Sequence, residues 1–250
     1  VKANPYETER YLHEYLLFHY GKPKDLCPLL YDRYFSEFLL RFHERIDSEC
    51  VALPFKKGAR ALDLGCGVGR FAFQLSRGVG EVIGIDNSRA FIDAARTIAK
   101  QGAIEVQIHE SGAEFSTRRL TLPKCARPAK VHFQVGDAQR LESLAKRPFD
   151  IVAAINLICR LPSPVSFLRQ LPDLVLTGGQ LVIASPFSWL KEHTPRREWL
   201  TPADVQEALA PHFRLQLRRD IPFVIREHCR KYQLVVSEVM TFKRCAPRAN

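Results

Sequence analysis

The stretch that decides the fold is Leu62-Asp63-Leu64-Gly65-Cys66-Gly67-Val68-Gly69. An apolar run over 59–64 ends in three glycines at alternate positions, and the chain resumes over 70–76 with helical spacing. A strand that runs into glycines and then a helix leaves bare backbone at the strand's carboxyl end, where a Cβ would block a ligand. Phosphate-binding turns of this kind space their glycines as G-x-G-x-x-G. Here the spacing is G-x-G-x-G, with Asp63 two residues before the first glycine. A carboxylate there repels a pyrophosphate and suits an ammonium or a hydroxyl.

Outward from this turn, short apolar runs alternate with helical patterns, the signature of an α/β sheet. Glu81–Asp86 reads as the second strand, and Ser88 caps a helix over 89–100 that places Phe91, Ala94, Ala95 and Ile98 on one face. Gly102 stops that helix. Val131–Val135 is the third strand, and Phe149–Ile155 is a near-continuous apolar run, as a parallel strand covered on both faces requires. A helix over 164–175 is expected to be kinked or divided by Pro172. Gly178-Gly179 opens a fifth strand over 180–184, Thr201 caps a helix over 202–210, and strand-like segments lie over 213–218 and 232–242.

Two regions stand outside the alternation. Residues 109–130 form a polar, basic excursion with Pro123 and Pro128, read as an inserted surface loop. Residues 4–49 are mostly helical and hold Tyr6, Tyr11, Tyr15, Tyr20, Tyr31 and Tyr34, six of the seven tyrosines. Tyr11, Tyr15 and His19 recur every fourth residue and share a helix face. The 250 residues are expected to form a single domain, with 1–50 as a helical cap and 51–250 as the core.

Composition narrows the classes. At 46% hydrophobic and 26% charged the chain is neither disordered nor collagenous, and no apolar run is long enough to span a membrane. Seven scattered cysteines lack CxxC spacing and the histidines lack HExxH spacing. No metal is expected, and free thiols in a cytoplasmic location are. The net charge of +10 is read as a solvated basic surface rather than a nucleic-acid footprint, since no dense basic block or RNA-binding signature accompanies it. The opening Val1-Lys2-Ala3-Asn4-Pro5 has no initiator Met and no signal-type apolar region, and reads as trimmed or cut from a longer chain.

Three more features fall where ligands of open α/β sheets bind, beyond the strands' carboxyl ends. Asp86, followed by Asn87, closes the second strand, where a carboxylate can accept two ribose hydroxyls. Gly136-Asp137-Ala138 follows the third strand, where an Asp can receive an adenine amino hydrogen. Asn156 ends the fourth strand.

This arrangement resembles the class I methyltransferases that use S-adenosylmethionine (SAM) and release S-adenosylhomocysteine, over about residues 55–245. The resemblance implies a Rossmann-like α/β fold with a seven-stranded, mostly parallel sheet in the order 3-2-1-4-5-7-6, the last strand antiparallel. It also implies cofactor contacts from Asp63, Gly65, Gly67, Gly69, Asp86, Asn87, Asp137, Ala138 and Asn156.

A closer resemblance lies outside the cofactor motifs. Asn4-Pro5-Tyr6-Glu7-Thr8 and Tyr15-Leu16-Leu17-Phe18-His19-Tyr20-Gly21 are similar to the opening of the C-terminal methyltransferase domain of ovothiol synthases. So are Asn156-Leu157-Ile158-Cys159-Arg160-Leu161-Pro162 and Ser185-Pro186-Phe187-Ser188-Trp189-Leu190, through Thr194-Pro195 to Trp199-Leu200. That family implies N-methylation of 5-thiohistidine (4-mercaptohistidine) to ovothiol A. It also implies a sulfoxide synthase module fused to or partnered with this chain, whose metal signature the sequence lacks; an excised domain and a free-standing relative both remain open.

Substrate-side assignments are looser. Arg160 can fork a carboxylate, Trp189 can wall a ring pocket, as can Trp199 unless it is core, and Tyr11, Tyr15 and His19 can cap the pocket or simply pack their helix. His19, His193 or Tyr15 can accept or relay the ring proton. A nucleic-acid or protein methyltransferase, a methyltransferase of another small molecule, and a non-catalytic SAM-binding subunit are the competing readings. No membrane partner is expected.

Overall fold

In this computed structural model, residues 4–31, 40–52, 55–145 and 147–246 are described. The nine strands are, in chain order, β1 (Arg60–Leu64), β2 (Glu81–Asp86), β3 (Ala103–Ser111), β4 (Glu114–Thr121), β5 (Val131–Val135), β6 (Phe149–Ile155), β7 (Val175–Ser185), β8 (Phe213–His228) and β9 (Lys231–Arg244). Seven form one sheet in the order β5-β2-β1-β6-β7-β9-β8, in which β9 alone runs antiparallel. Counted by appearance among the sheet strands, this is the expected 3-2-1-4-5-7-6.

The central strands alternate their side chains between two cores. Ala61, Ile151, Ala153, Val182 and Ala184 face the side covered by α1 (Glu9–Tyr20), α3 (Phe42–Cys50), α4 (Arg70–Leu75) and α5 (Arg89–Gln101). Leu62, Leu64, Val152, Ala154, Leu181 and Ile183 face the side of α7 (Pro164–Leu174) and α8 (Pro202–Leu209). This period of two on strands buried on both faces explains the unbroken apolar runs. Two short helices, α2 (Pro23–Leu26) and α6 (Glu142–Ala145), complete the set among the described residues.

Several expectations change. The region read as a polar insertion begins earlier and is partly regular: β3 and β4 pair as an antiparallel hairpin in a second, two-stranded sheet. Of its buried residues, Val106, Ile108 and Leu120 join the core beneath α1. Its other positions are mostly polar, which is why a loop reading was natural. Pro172 does not divide α7. It lies in the last turn, two residues before the helix ends, so its missing N–H interrupts no later turn.

The final hairpin is far longer than the segments read from sequence. β8 has 16 residues and β9 has 14, paired from Phe213↔Arg244 out to His228↔Lys231. Pro222 lies within β8, which is the sheet edge, where a strand tolerates a missing donor. The outer half of the hairpin leaves the sheet and packs against the N-terminal helices: Phe223 lies 5.2 Å from Phe18 and 4.7 Å from Phe42, centroid to centroid. Tyr34 lies outside the described residues. All seven cysteines are free thiols, and among the described residues no helix is long and apolar enough to cross a membrane.

Candidate active site

The carboxyl ends of β1, β2 and β6 open into a cavity of about 1110 Å³, roofed by α1 and the β8–β9 hairpin. Its floor is the glycine turn. Gly65, Gly67 and Gly69 all have positive φ (67°, 54° and 89°), which L side chains adopt only with strain. At Gly67 an added Cβ would come 3.3 Å from His19 Cε1, so the imidazole lies directly against the turn. Asp86 ties the turn to β2: one carboxylate oxygen accepts from the Gly67 N–H at 2.9 Å and the other from the Ser88 N–H at 2.9 Å. Burial pushes the Asp86 pKa up while these backbone donors pull it down, leaving it above the usual value. A carboxylate has about four acceptor sites, so positions remain for two hydroxyls.

Asp63 sits beneath the turn, 1% exposed, and its Oδ2 has no hydrogen-bond partner. Burial raises its pKa to about 8, with the Asp86 charge adding to the shift. Asn156 ends β6 at a φ of 55°, a left-handed conformation Asn tolerates better than most residues. Its Oδ1 accepts from the Ser237 hydroxyl at 2.6 Å, which leaves its NH₂ as the free donor. Asp137 stands at the rim, half exposed, accepting from the Gln139 N–H at 2.8 Å. Asn87 and Ala138 also line the cavity.

The N-terminal segment is clipped across this floor. The Glu7 carboxylate accepts from the Arg89 and Ala90 N–H groups at the start of α5, where a negative charge complements the helix dipole. The Ser88 hydroxyl donates to the Tyr6 carbonyl at 3.0 Å. Tyr6 is thereby held over the cavity, edge-on to Tyr11 (5.6 Å) and Tyr15 (5.7 Å) and stacked with His193 (6.3 Å). Its hydroxyl shares hydrogen bonds with Arg160 and Tyr15. Burial raises the pKa of both tyrosines. Arg160 donates to the Ser188 carbonyl at 2.8 Å, which fixes the guanidinium beside Tyr6.

His19 is half-buried; its Nδ1 is buried without a partner among the described residues, and its ring packs 4.3 Å from the His43 ring. Desolvation, followed by the Arg70 charge, lowers the His19 pKa to about 3, and His43 is lowered well below its usual value. Both imidazoles are neutral at physiological pH. His193 is lowered less, by desolvation and then by Arg160.

The structure therefore gathers Asp63, Gly65, Gly67, Asp86, Asn87, Asp137, Ala138, Asn156, Tyr11, Tyr15, His19, Arg160 and His193 on one cavity. Gly69 and Trp189 stand off it. Gly69 caps α4, and a Cβ there would strike the Phe133 ring at 2.5 Å, so its bareness serves packing. The Trp189 indole turns away, donating to the Leu200 carbonyl at 2.9 Å, while its neighbours Ser188 and Leu190 line the wall. Trp199 likewise donates to the Thr194 carbonyl at 2.9 Å. Sequence reasoning passed over Tyr6, although it lies in a stretch singled out for resemblance. It also passed over Glu14, Phe18 and His43, and over Phe223, Ile225, Gln233 and Val235, which only the long hairpin brings to the cavity.

Comparison with known proteins follows this geometry. Residues 31–233 match the family described as Methyltransferase domain. The chain is 26% identical over 128 residues to the ubiquinone biosynthesis O-methyltransferase of Stutzerimonas stutzeri, covering 51% of this chain and 44% of that one. It is 28% identical over 141 residues to the protein of the same name from Alkalilimnicola ehrlichii, covering 56% and 47%. The match thus spans about half the length of these curated relatives. Among solved structures, a putative methyltransferase from Bacillus halodurans aligns with a TM-score of 0.53 at 14% identity, covering 82% of this chain and 97% of that one. A structure described for the conversion of a disulfide bond into a thioacetal group in echinomycin biosynthesis aligns at 0.51 and 18% identity, covering 76% and 77%. These likenesses concern the fold.

Proposed function

The chain belongs to the methyltransferase family, and on that premise we propose that it is a SAM-dependent N-methyltransferase that methylates an imidazole ring nitrogen of 5-thiohistidine, giving ovothiol A. The observation that carries the substrate is where the resembling stretches fall. Four segments far apart in sequence supply Tyr6, then Tyr15 and His19, then Asn156 and Arg160, then Ser188 and Leu190, all to the walls of one cavity.

The cavity suits the cofactor and one small acceptor together. Its volume exceeds the range of about 300–1,000 Å³ common for a single drug-sized ligand. Asp86 has acceptor sites left for ribose hydroxyls, Asp137 and Ala138 stand where an adenine edge would lie, and the orphaned Asp63 Oδ2 offers an acceptor for an ammonium. When bound, SAM supplies an electrophilic methyl carbon on a sulfonium that leaves as a neutral thioether. The protein's part is then alignment and exclusion of water, which for well-oriented reactants is worth about 7–11 kcal/mol of barrier.

Thiolated histidine offers a soft sulfur and a weaker ring nitrogen as nucleophiles. The Arg160 guanidinium, with the Tyr6 hydroxyl beside it, is the cationic donor set that holds the thiolate aside and turns the nitrogen inward. His19 stays neutral, so it orients the ring by hydrogen bonding at Nδ1 and does not store its proton. Tyr15 keeps its own proton for the same reason of burial. His193, less buried and only moderately lowered, is the acceptor that passes the ring proton outward.

Incubation with SAM and a panel comprising 5-thiohistidine, histidine and an oxygen nucleophile, the class named by the curated relatives, tests the assignment. Fragmentation mass spectrometry should show an N-methyl product from thiohistidine. Histidine should be used at least about a hundredfold less efficiently, because it leaves the polar sulfur slot unpaired. An S-methyl product, equal use of histidine, or preference for the oxygen nucleophile overturns the substrate.

A further inference from the structure

α1 presents one carboxylate to the cavity, that of Glu14. Its side chain is 9% exposed, and among the described residues its one ion pair is to Arg10, whose Nε donates to Oε1 at 2.8 Å. Arg10 itself is 68% exposed and also reaches Glu227 at 3.1 Å, so it offsets little of the carboxylate's lost hydration. Among the described residues Glu14 Oε2 has no hydrogen-bond partner, and the residue lines the cavity. Phe18 on the same helix and Phe223, Ile225 and Val235 of the hairpin line the same cavity with apolar side chains, and the exposed Gln233 lines it as well. The Gln233 amide NH₂ is committed to Glu227 at 3.0 Å, which leaves its carbonyl oxygen as a second free acceptor on the same wall. The cations lining the cavity, Arg140 and Arg160, come instead from the loops after β5 and β6.

We infer that Glu14 and the Gln233 carbonyl form the subsite for the α-ammonium of an amino-acid substrate. This deepens the proposed function and rests on it. An ammonium brings three donors that need acceptors, and a carboxylate held out of water with a free oxygen is the strongest acceptor available for it. The opposite charge preference is built at the Arg160 end. Anchoring the substrate at both ends fixes its long axis, so that one ring nitrogen, and not the sulfur, is carried to the reacting position.

The test is steady-state kinetics at saturating SAM on 5-thiohistidine and on its deaminated counterpart, the thioimidazole propionate. Wild-type protein should favour the amino acid. Glu14→Gln should raise KM for 5-thiohistidine by about 10- to 100-fold, the loss of one charged hydrogen bond, with kcat little changed. Its KM for the deaminated compound should stay the same. Arg10→Ala, which removes the outer partner and keeps the carboxylate, should leave the preference intact. Equal loss on both compounds, or Arg10→Ala reproducing the Glu14→Gln effect, makes Glu14 a structural latch and overturns the inference while the proposed function stands. If Glu14→Gln does not fold, the wild-type preference decides, and equal use of the two compounds overturns the inference. A wild type that methylates neither compound overturns the proposed function and this subsite with it.

Discussion

Replacing Asp86 with Asn puts the cofactor assignment at risk most directly. The carboxylate holds two backbone donors, Gly67 N–H and Ser88 N–H, each at 2.9 Å. Asp86→Ala would orphan both buried donors and confound binding with stability. Asparagine keeps an acceptor oxygen for only one of the two backbone donors, gives up the charge, and turns an NH₂ group toward the other N–H and toward the place where a hydroxyl proton should arrive. The expected loss is one charge-assisted hydrogen bond to a ribose hydroxyl, about 1.5–3 kcal/mol, or roughly 10- to 150-fold in Kd. The ribose is common to cofactor and product, so calorimetry should show the same factor for SAM and S-adenosylhomocysteine. A ligand-free melting curve checks separately that the glycine turn has held. An unchanged affinity in a folded variant, or a loss confined to one of the two ligands, would show that Asp86 serves the turn alone and that the ribose lies elsewhere.

Two further outcomes are expected. Asp63 has a pKa near 8 when folded against 3.8 as a free side chain, so the native state keeps a proton the unfolded chain releases. Its contribution to ligand-free stability must therefore fall as pH rises from about 4 to 8 and level off beyond. Melting curves across that window should show a shallower decline for Asp63→Asn, together with weaker SAM binding; identical slopes in both proteins would remove Asp63 from this role. Tyr6→Phe keeps the ring stack with His193 and removes the hydroxyl shared by Arg160 and Tyr15, so KM for the acceptor should rise about tenfold at unchanged melting temperature. A lowered melting temperature with normal kinetics would assign Tyr6 to packing.

What the chain's order of residues determines by itself is what depends on neighbours close in sequence. The G-x-G-x-G spacing puts glycine, which adopts positive φ without strain, at all three positions where the turn uses it, Gly65, Gly67 and Gly69. Ser88 and Thr201 cap helices with their own hydroxyls, and Gly102 ends α5 in a left-handed turn. The apolar runs 151–155 of β6 and 181–184 of β7 announce strands buried on both faces, and with right-handed crossovers they leave few sheet orders open. The side of the cavity at the strand ends, where the cofactor is proposed to bind, was legible for the same reason. The side closed by α1 and the hairpin was not. Tyr6 is placed by Ser88 and Glu7's hold on α5, more than eighty residues away, and Glu14 meets its opposing wall only because β8 and β9 continue past Pro222 and fold back over α1. The hairpin β3–β4 shows weak alternation because little of it is buried, and what is buried packs beneath a helix ninety residues earlier. Side chains such as Glu14 and Phe223 carry no local mark of function. Their place comes from burial beside a cavity that exists only once segments from both ends of the chain have closed on the sheet, and burial of that kind is a property of the assembled fold.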